Sequence, residues 1–244
     1  MEQTSSAKPI EVMMRYEFKY LLSPEQIPAL LAGLRGRMEI DRYGETSIQS
    51  LYYDTPDFRL IRASVEKPVF KEKLRLRSYG PATDSSSVFL ELKRKFDGIV
   101  YKRRVMSTIP RVRQFLAGDD EVFEGGQINR EITYFRNYYR ELVPACVIIS
   151  ERTAYLERGG ALRLTSDRNP RRRMTGLDLT APLTGEPLLP EGHAVLEVKI
   201  QHAVPLWLST VLSGARIYKD SFSKYGTAYG MQVQAACRKD KDYV

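Results

Sequence analysis

Val69-Phe70-Lys71-Glu72-Lys73-Leu74-Arg75-Leu76-Arg77 sets a charged residue at every second position. The pattern returns in Phe89-Leu90-Glu91-Leu92-Lys93-Arg94-Lys95, in Ala161-Leu162-Arg163-Leu164-Thr165-Ser166-Asp167 and in Val195-Leu196-Glu197-Val198-Lys199. A period of two is a β-strand, here one with a charged face. Long cations on neighbouring strands repel. A sheet that gathers them on one face therefore calls for an anion there, and phosphate is the natural candidate.

Working outward, the remaining alternating segments bring the number of strands to about eight. They are residues 15–22, 47–54, 69–79, 88–95, 99–106, 146–153, 161–167 and 194–200. Phe96-Asp97-Gly98 carries Asp-Gly, a hairpin signal, and Arg158-Gly159-Gly160 marks a second turn. Helices fall between the strands. Ser23-Pro24-Glu25-Gln26 opens one with a capping box, followed by the apolar stripe Ile27, Leu30, Leu31, Leu34 and Met38. Others are read at 55–66, 110–117, 130–142, 205–212 and 221–234. Hairpin strands with helices between them predict an antiparallel α+β fold: an eight-stranded antiparallel β tunnel barrel with helices packed outside and charges inside.

The chain has 244 residues, 43% of them hydrophobic, enough for a sizeable core. One domain is read over 10–236, between a disordered N-terminal segment at 1–9 and a C-terminal tail at 237–244. A net charge of +8 suits an acidic partner, whether nucleic acid, membrane surface or phosphorylated small molecule. Cys146 and Cys237 read as two buried thiols in a reducing compartment. No apolar run reaches a transmembrane length and the polar start is not a secretory signal, so the expected location is cytoplasmic.

By strand parity the charged faces contribute Glu17 and Lys19; Lys71, Lys73, Arg75 and Arg77; Glu91, Lys93 and Lys95; Lys102 and Arg104; Arg152; Arg163 and Asp167; Glu197 and Lys199. Arginine forks grip phosphate oxygens in pairs and lysines add point charges. The fewer carboxylates suit a hard divalent cation. This is phosphoryl-transfer equipment in a chain with neither a P-loop nor a Rossmann glycine motif.

Several motifs resemble one family: Arg15-Tyr16-Glu17-Phe18-Lys19-Tyr20, Ser50-Leu51-Tyr52-Tyr53-Asp54-Thr55, Leu74-Arg75-Leu76-Arg77-Ser78-Tyr79-Gly80, Phe89-Leu90-Glu91-Leu92-Lys93, Leu162 to Asp167, Leu196-Glu197-Val198-Lys199 and Phe222-Ser223-Lys224-Tyr225. In this order they resemble the VTC domain of polyphosphate polymerases, a branch of the triphosphate tunnel metalloenzymes (CYTH-like), here of the bacterial stand-alone type. The resemblance implies a tunnel that takes the triphosphate of ATP. The implied catalytic and phosphate ligands are Lys19, Arg75, Arg77, Lys93, Lys102, Arg152, Arg163 and Lys224, joined by Ser223 as a ligand. Glu197 would hold Mn²⁺ or Mg²⁺. Partners implied are ATP, inorganic phosphate, polyphosphate and a separate membrane-protein partner. The family often has a lysine where this chain has Ser221, and Lys219 is the candidate substitute.

The implied activity moves the γ-phosphoryl group of ATP to a polyphosphate end. Water as acceptor would give a triphosphatase, and a module that binds polyphosphate or nucleotide without turnover is a third reading. Nucleic-acid binding is the alternative from another class. No nucleic acid is expected, because the cations sit on strands and no RRM, KH or helix-turn-helix signature is present. Arg168 and Arg171-Arg172-Arg173 read as a basic surface loop, with a guide for a polyanion as the alternative. His193 and His202 stand alone near strand ends, and Trp207 reads as helix packing.

Overall fold

The computed structural model describes residues 16–120, 123 and 125–241. Arg15 and the segment 1–9 lie outside them. The elements run β1 (Tyr16–Leu22), α1 (Gln26–Leu34), β2 (Met38–Asp54), α2 (Arg59–Val65), β3 (Phe70–Tyr79), β4 (Val88–Phe96), β5 (Ile99–Ser107), α3 (Ile109–Leu116), α4 (Gln127–Tyr139), β6 (Val143–Glu157), β7 (Arg163–Arg173), β8 (Glu186–Pro187), β9 (Ala194–Ile200), α5 (Leu206–Gly214), β10 (Lys219–Asp220) and α6 (Lys224–Lys241). The described strands form one antiparallel sheet in the order β10-β1-β9-β7-β6-β2-β3-β4-β5, with β8 on β7. The eight expected strands all form, and β8 and β10 are two-residue additions.

The sheet is curled. Lys93 of β4 donates to both carboxylate oxygens of Glu17 on β1 at 3.0 and 3.1 Å, although these strands lie far apart in the order. Phe96 pairs with Ile99 across Asp97 and Gly98, whose φ angles of 43° and 82° suit a tight primed hairpin.

Strand alternation sorts the residues. Leu74, Leu76, Leu90 and Leu92 face outward, where α3 and α4 bury them with Ile109, Val112, Phe115, Ile132 and Phe135. Tyr20, Leu164, Leu196 and Val198 face outward beneath α1 and α5, meeting Leu30, Leu34, Leu208 and Leu212. Trp207 packs there too, with the Arg37 guanidinium 5.2 Å from its ring centroid. The inner face is divided. On β2 and β6, Tyr52, Cys146 and Ile148 are capped by Tyr225 and Ala228 of α6 and by Ile61 of α2. The charged residues take the rest.

Several sequence expectations need correcting. Met38 begins β2, because the chain leaves α1 at Leu34 and turns at Gly36, whose φ is 73°. Only half the capping box forms: Gln26 Oε1 accepts the Ser23 N–H at 2.9 Å, and α1 has no side-chain cap. The last helix starts at Lys224 and runs to Lys241. The arginine cluster is strand rather than loop. β7 continues through it with a bulge opposite Ile149 and Glu151. Arg171 pairs with Glu151, Arg172 with Glu186 and the Ala228 carbonyl, and Arg173 with loop carbonyls including Pro182 and Asp178. Cys146 is buried as expected, but Cys237 is exposed; both are free.

Asp54, wholly buried, ties this frame together. Its carboxylate accepts from the N–H groups of Thr55, Leu60 and Ile61 at 2.9, 2.8 and 3.0 Å and from the Tyr225 hydroxyl at 2.9 Å. It thereby fixes the start of α2 and the seat of α6 at the end of β2. Asp54→Ala strands four buried donors, so urea denaturation is expected to show a loss of about 3 kcal/mol or more. Tyr225→Phe, which removes one donor, is expected to lose about 1 kcal/mol.

Candidate functional site: a charged concave face

Residues in register across antiparallel strands point the same way. The pairs Lys19↔Glu197, Glu17↔Lys199, Arg163↔Lys199, Arg152↔Asp167, Tyr52↔Arg75, Ser50↔Arg77, Arg75↔Glu91, Lys73↔Lys93, Glu91↔Arg104 and Lys93↔Lys102 therefore line one concave face.

Its densest knot is Glu91, with no exposed surface. Arg75 Nε donates to Oε2 at 2.8 Å, Arg104 Nε donates to Oε1 at 2.7 Å, and Lys102 Nζ reaches Oε1 at 2.5 Å. Arg77 Nε lies 4.0 Å from Oε2 and donates to Ser50 Oγ at 3.1 Å. Burial alone would raise the Glu91 carboxyl, but Arg75, Arg77, Lys102 and Arg104 hold it far below the usual carboxylate range.

Asp167, equally buried, is the second knot. Arg152 grips it at 2.5 and 2.6 Å, and Lys224 at the start of α6 joins the same carboxylate. Burial opposes its ionisation, and Lys224 and Arg152 restore it. The approach to α6 is fastened further by Lys19 Nζ donating to the Phe222 carbonyl at 3.2 Å and Lys73 Nζ to Ser223 Oγ at 3.3 Å. Ser223 Oγ also accepts the Gly226 N–H at 3.2 Å, capping the helix.

Glu197 differs. Its oxygens lie 3.5 Å from Lys19, 3.3 Å from Lys199 and 4.0 Å from Arg152, longer than a good charge-assisted hydrogen bond. Despite burial, Lys199, Lys19, Lys224 and Arg152 keep it ionised. Among the described residues no group of three His, Cys, Asp or Glu side chains could cage a metal by itself. A loosely held carboxylate nevertheless suits Mg²⁺ or Mn²⁺, which commonly take one or two protein carboxylates and fill their remaining positions with substrate oxygens and water.

The face thus gathers Lys19, Arg75, Arg77, Lys93, Lys102, Arg152, Glu197, Ser223 and Lys224. Arg163 lies on the same face but at its edge, at the first residue of β7, with its side chain 45% exposed and turned toward Asp41 at 3.5 Å. Lys219 is no substitute inside the face. Its Nζ lies over the ring of Phe18, 4.6 Å from the centroid, on the outward side of β1. Parity marked Lys73 and Lys199 as inward, but the family resemblance assigned them no role. Tyr52 also turns inward, accepting from Arg75 Nη1 at 3.1 Å and stacking on Tyr225 at 4.5 Å, whereas Tyr53 faces the outer core. Register across the β2–β3 ladder, Tyr52 with Arg75 and Tyr53 with Leu74, decides that. An apolar cavity of about 250 Å³ lies outside this face, lined by Leu51, Tyr53, Leu76 and Ile109 of the convex core.

A model of the VTC domain matches residues 14–232. The chain belongs to the VTC domain family. No curated protein matches it. Among solved structures, a candidate adenylate cyclase from Bacillus halodurans aligns at 14% identity and a TM-score of 0.52, over 86% of this chain and 94% of that one. HpAC1 from Hippeastrum, described as a candidate adenylyl cyclase with a dominant triphosphatase activity, aligns at 19% identity and a TM-score of 0.51, over 87% and 93%. At such identities the likeness is one of fold, and this VTC-family chain shares with both the curled antiparallel tunnel sheet.

The charges of the face make its stability and its ligand binding depend on pH. Burial raises the Glu17 carboxyl, but Lys93, Lys199 and Lys19 outweigh it and bring it down to about 2. A carboxyl lowered by folding stabilises above its unfolded value and loses that contribution as pH falls through its folded value. Stability in denaturant titrations is therefore expected to drop steadily as pH falls from about 4.5 toward about 2. Lys73 is lowered to about 7 by burial and by Lys19, Lys93, Lys71 and Arg75. Burial, offset in part by Glu91, likewise brings Lys102 to about 7 under the charges of Arg75, Arg104 and Arg77. An anion favours their charged forms. Tripolyphosphate is expected to bind more weakly as pH rises from about 7 to about 9, with proton uptake measurable by calorimetry in two buffers of different ionisation enthalpy.

Proposed function

We propose that this VTC-family chain is a polyphosphate polymerase, transferring the γ-phosphoryl group of ATP to a growing inorganic polyphosphate chain on its concave face. The observation that carries the reading is one inward face on which Arg75, Arg77, Arg152, Lys19, Lys93, Lys102 and Lys224 meet carboxylates that stay ionised. Such a face is already arranged to exchange internal carboxylates for phosphate oxygens.

In this reading Arg75, Arg77 and Arg152 hold the triphosphate oxygens by bidentate contacts, and Lys19, Lys93, Lys102 and Lys224 supply point charges. Ser223 offers its hydroxyl beside the N-terminus of α6, a favourable place for phosphate. Arg163, at the rim, is assigned to the ligand where it enters or leaves. Glu197 is the candidate ligand for Mn²⁺ or Mg²⁺, with phosphate oxygens completing the shell. When bound, that ion would offset the negative charge on the transferring group. The protein's own part is positioning and charge stabilisation, and no side-chain nucleophile is required. The acceptor is an orthophosphate or polyphosphate oxygen, with ADP leaving. Water at the same place would make the chain a triphosphatase. The bond from Lys224 to Asp167 and that from Lys93 to Glu17 must loosen as phosphate arrives, so the carboxylates act as place-holders for the ligand.

Incubating the protein with ATP and Mn²⁺ and resolving the products on a gel tests this. A polyphosphate ladder with ADP is expected. Arg75→Ala and Glu197→Ala are each expected to slow it by about 10²–10³-fold, the scale of losing one preorganised electrostatic contact. Orthophosphate alone would mean a triphosphatase, and binding without turnover would mean a sensing module.

A further inference from the structure

A cavity lies on the convex side of the sheet, away from the charged face. Leu51 and Leu76, partners across the β2–β3 ladder, form its floor with Tyr53. Ile109 and Leu116 of α3 form one wall, and the loop at 177–179, after β7, forms the other. That loop is fastened from behind. Arg173, the last residue of β7, donates to the carbonyls of Gly176, Pro182 and Asp178 at 3.1, 2.5 and 2.6 Å. Gln49 Nε2 donates to the Leu179 carbonyl at 2.9 Å. The space between these walls is about 250 Å³. Native cores hold few voids larger than a water molecule, and an unfilled one of this size costs stability. Apolar walls offer water too few partners to hold it.

The polar groups of the lining stand together. Arg113 of α3 pairs with Asp178, and burial raises the Tyr53 phenol in the field of both. The side chains of Arg113 and Asp178 are 53% and 33% exposed, so this end opens to water, whereas Leu51, Leu76, Ile109 and Leu179 are buried. The cavity is therefore apolar within and charged at its mouth. Asp178 does not depend on Arg113 alone. Its Oδ1 accepts the Thr180 N–H at 2.9 Å. Against partial burial, that contact, with Arg113 and the Leu179 N–H, keeps its carboxyl below the usual range. The Arg113 guanidinium can thus turn to a second carboxylate without stranding the first. With Arg173 also beside Asp178, the mouth is cationic on balance.

We propose that this convex cavity is a binding site for a small amphipathic carboxylate, its apolar body between Leu76, Ile109 and Leu179 and its head on the Arg113 guanidinium beside the Tyr53 hydroxyl. An apolar cavity of about 150 Å³ holds benzene. By the same measure, about 250 Å³ takes roughly ten non-hydrogen atoms, the size of a carboxylic acid of about eight carbons. A guanidinium fork meets a carboxylate in two contacts, and burial of the hydrocarbon chain supplies the remaining affinity. The site stands apart from the phosphate reading, since its residues belong to the convex core.

The test titrates octanoate, octylamine and tripolyphosphate separately into the full chain, followed by calorimetry and thermal unfolding. Octanoate, kept below its micellar concentration, is expected to bind one to one and to raise the melting temperature. Octylamine has the same chain and the opposite head, and is expected to bind about tenfold more weakly or worse. Arg113→Met keeps an apolar stem and removes the charge. It is expected to weaken octanoate by about tenfold or more and to leave tripolyphosphate binding at the parent level. Ala117→Leu, at another lining position, adds carbons to the cavity. It is expected to abolish octanoate binding while holding the melting temperature at or above the parent's. The site is overturned by the absence of saturable octanoate binding, by octylamine binding as tightly as octanoate, or by octanoate binding that is unchanged in either variant. A parent that binds octanoate but not tripolyphosphate would uphold this site and overturn the phosphate reading alone.

Discussion

Burying a carboxylate among cations is the constraint on which the concave face depends. Glu91 has no exposed surface and meets Arg75, Lys102 and Arg104 within 2.8 Å. Without the acid, a ring of like charges would face itself across the β3, β4 and β5 ladders. Without the cations, a carboxylate would sit desolvated, which is among the costliest arrangements a core can hold. The two halves therefore stand or fall together. Asp167 repeats the arrangement on β7 and extends it to α6 through Lys224. Glu17 repeats it on β1, and its bond to Lys93 draws the two ends of the sheet toward each other.

These ion pairs could not hold the sheet alone. The convex face supplies the apolar burial, in two separate clusters under α3 with α4 and under α1 with α5. Alternation along each strand makes the division possible, since Leu74 and Arg75 are neighbours in the chain yet face opposite ways. The concave face has its own apolar part, where Tyr225 and Ala228 of α6 cover Tyr52, Cys146 and Ile148. α6 thus packs as a core helix along its body and presents Ser223 and Lys224 to the charges at its start. Asp54 links the two roles, because it anchors both α2 and Tyr225.

Arginine and lysine divide the work of the face. Arg75, Arg77 and Arg152 sit deep beside acids, Arg152 in forked contact with Asp167. Lys102 and Lys224 join the same carboxylates, whereas Lys71, Lys73 and Lys95 have no ion pair with an acid among the described residues. Glu197 stands between these regimes, ionised but only loosely held.

Strand alternation in the sequence determined which residues of β1, β3, β4, β5, β7 and β9 face inward, because a side-chain period of two leaves no other choice once a strand forms. The Asp-Gly turn and the eight strands followed from equally local signals. Local signals misjudged the arginines from Arg168 to Arg173, since it is pairing with β6, with β9 at Arg168 and with β8 at Arg171 and Arg172 that turns this charged, proline-containing segment into strand. They also stretched the first helix to Met38, where no cap marked its end. The sequence put Lys219 forward as a stand-in for the missing lysine at Ser221, and register with Tyr20 turns it outward. Which acid meets which cation, that Tyr52 rather than Tyr53 turns inward beneath α6, and that Lys71, Lys73 and Lys95 have no ion pair with an acid among the described residues were decided by the tertiary structure alone. The physical reason is distance: alternation fixes the side of the sheet a charge occupies, but its partner comes from a strand or helix far away in the chain and is set only when the sheet curls and α6 docks.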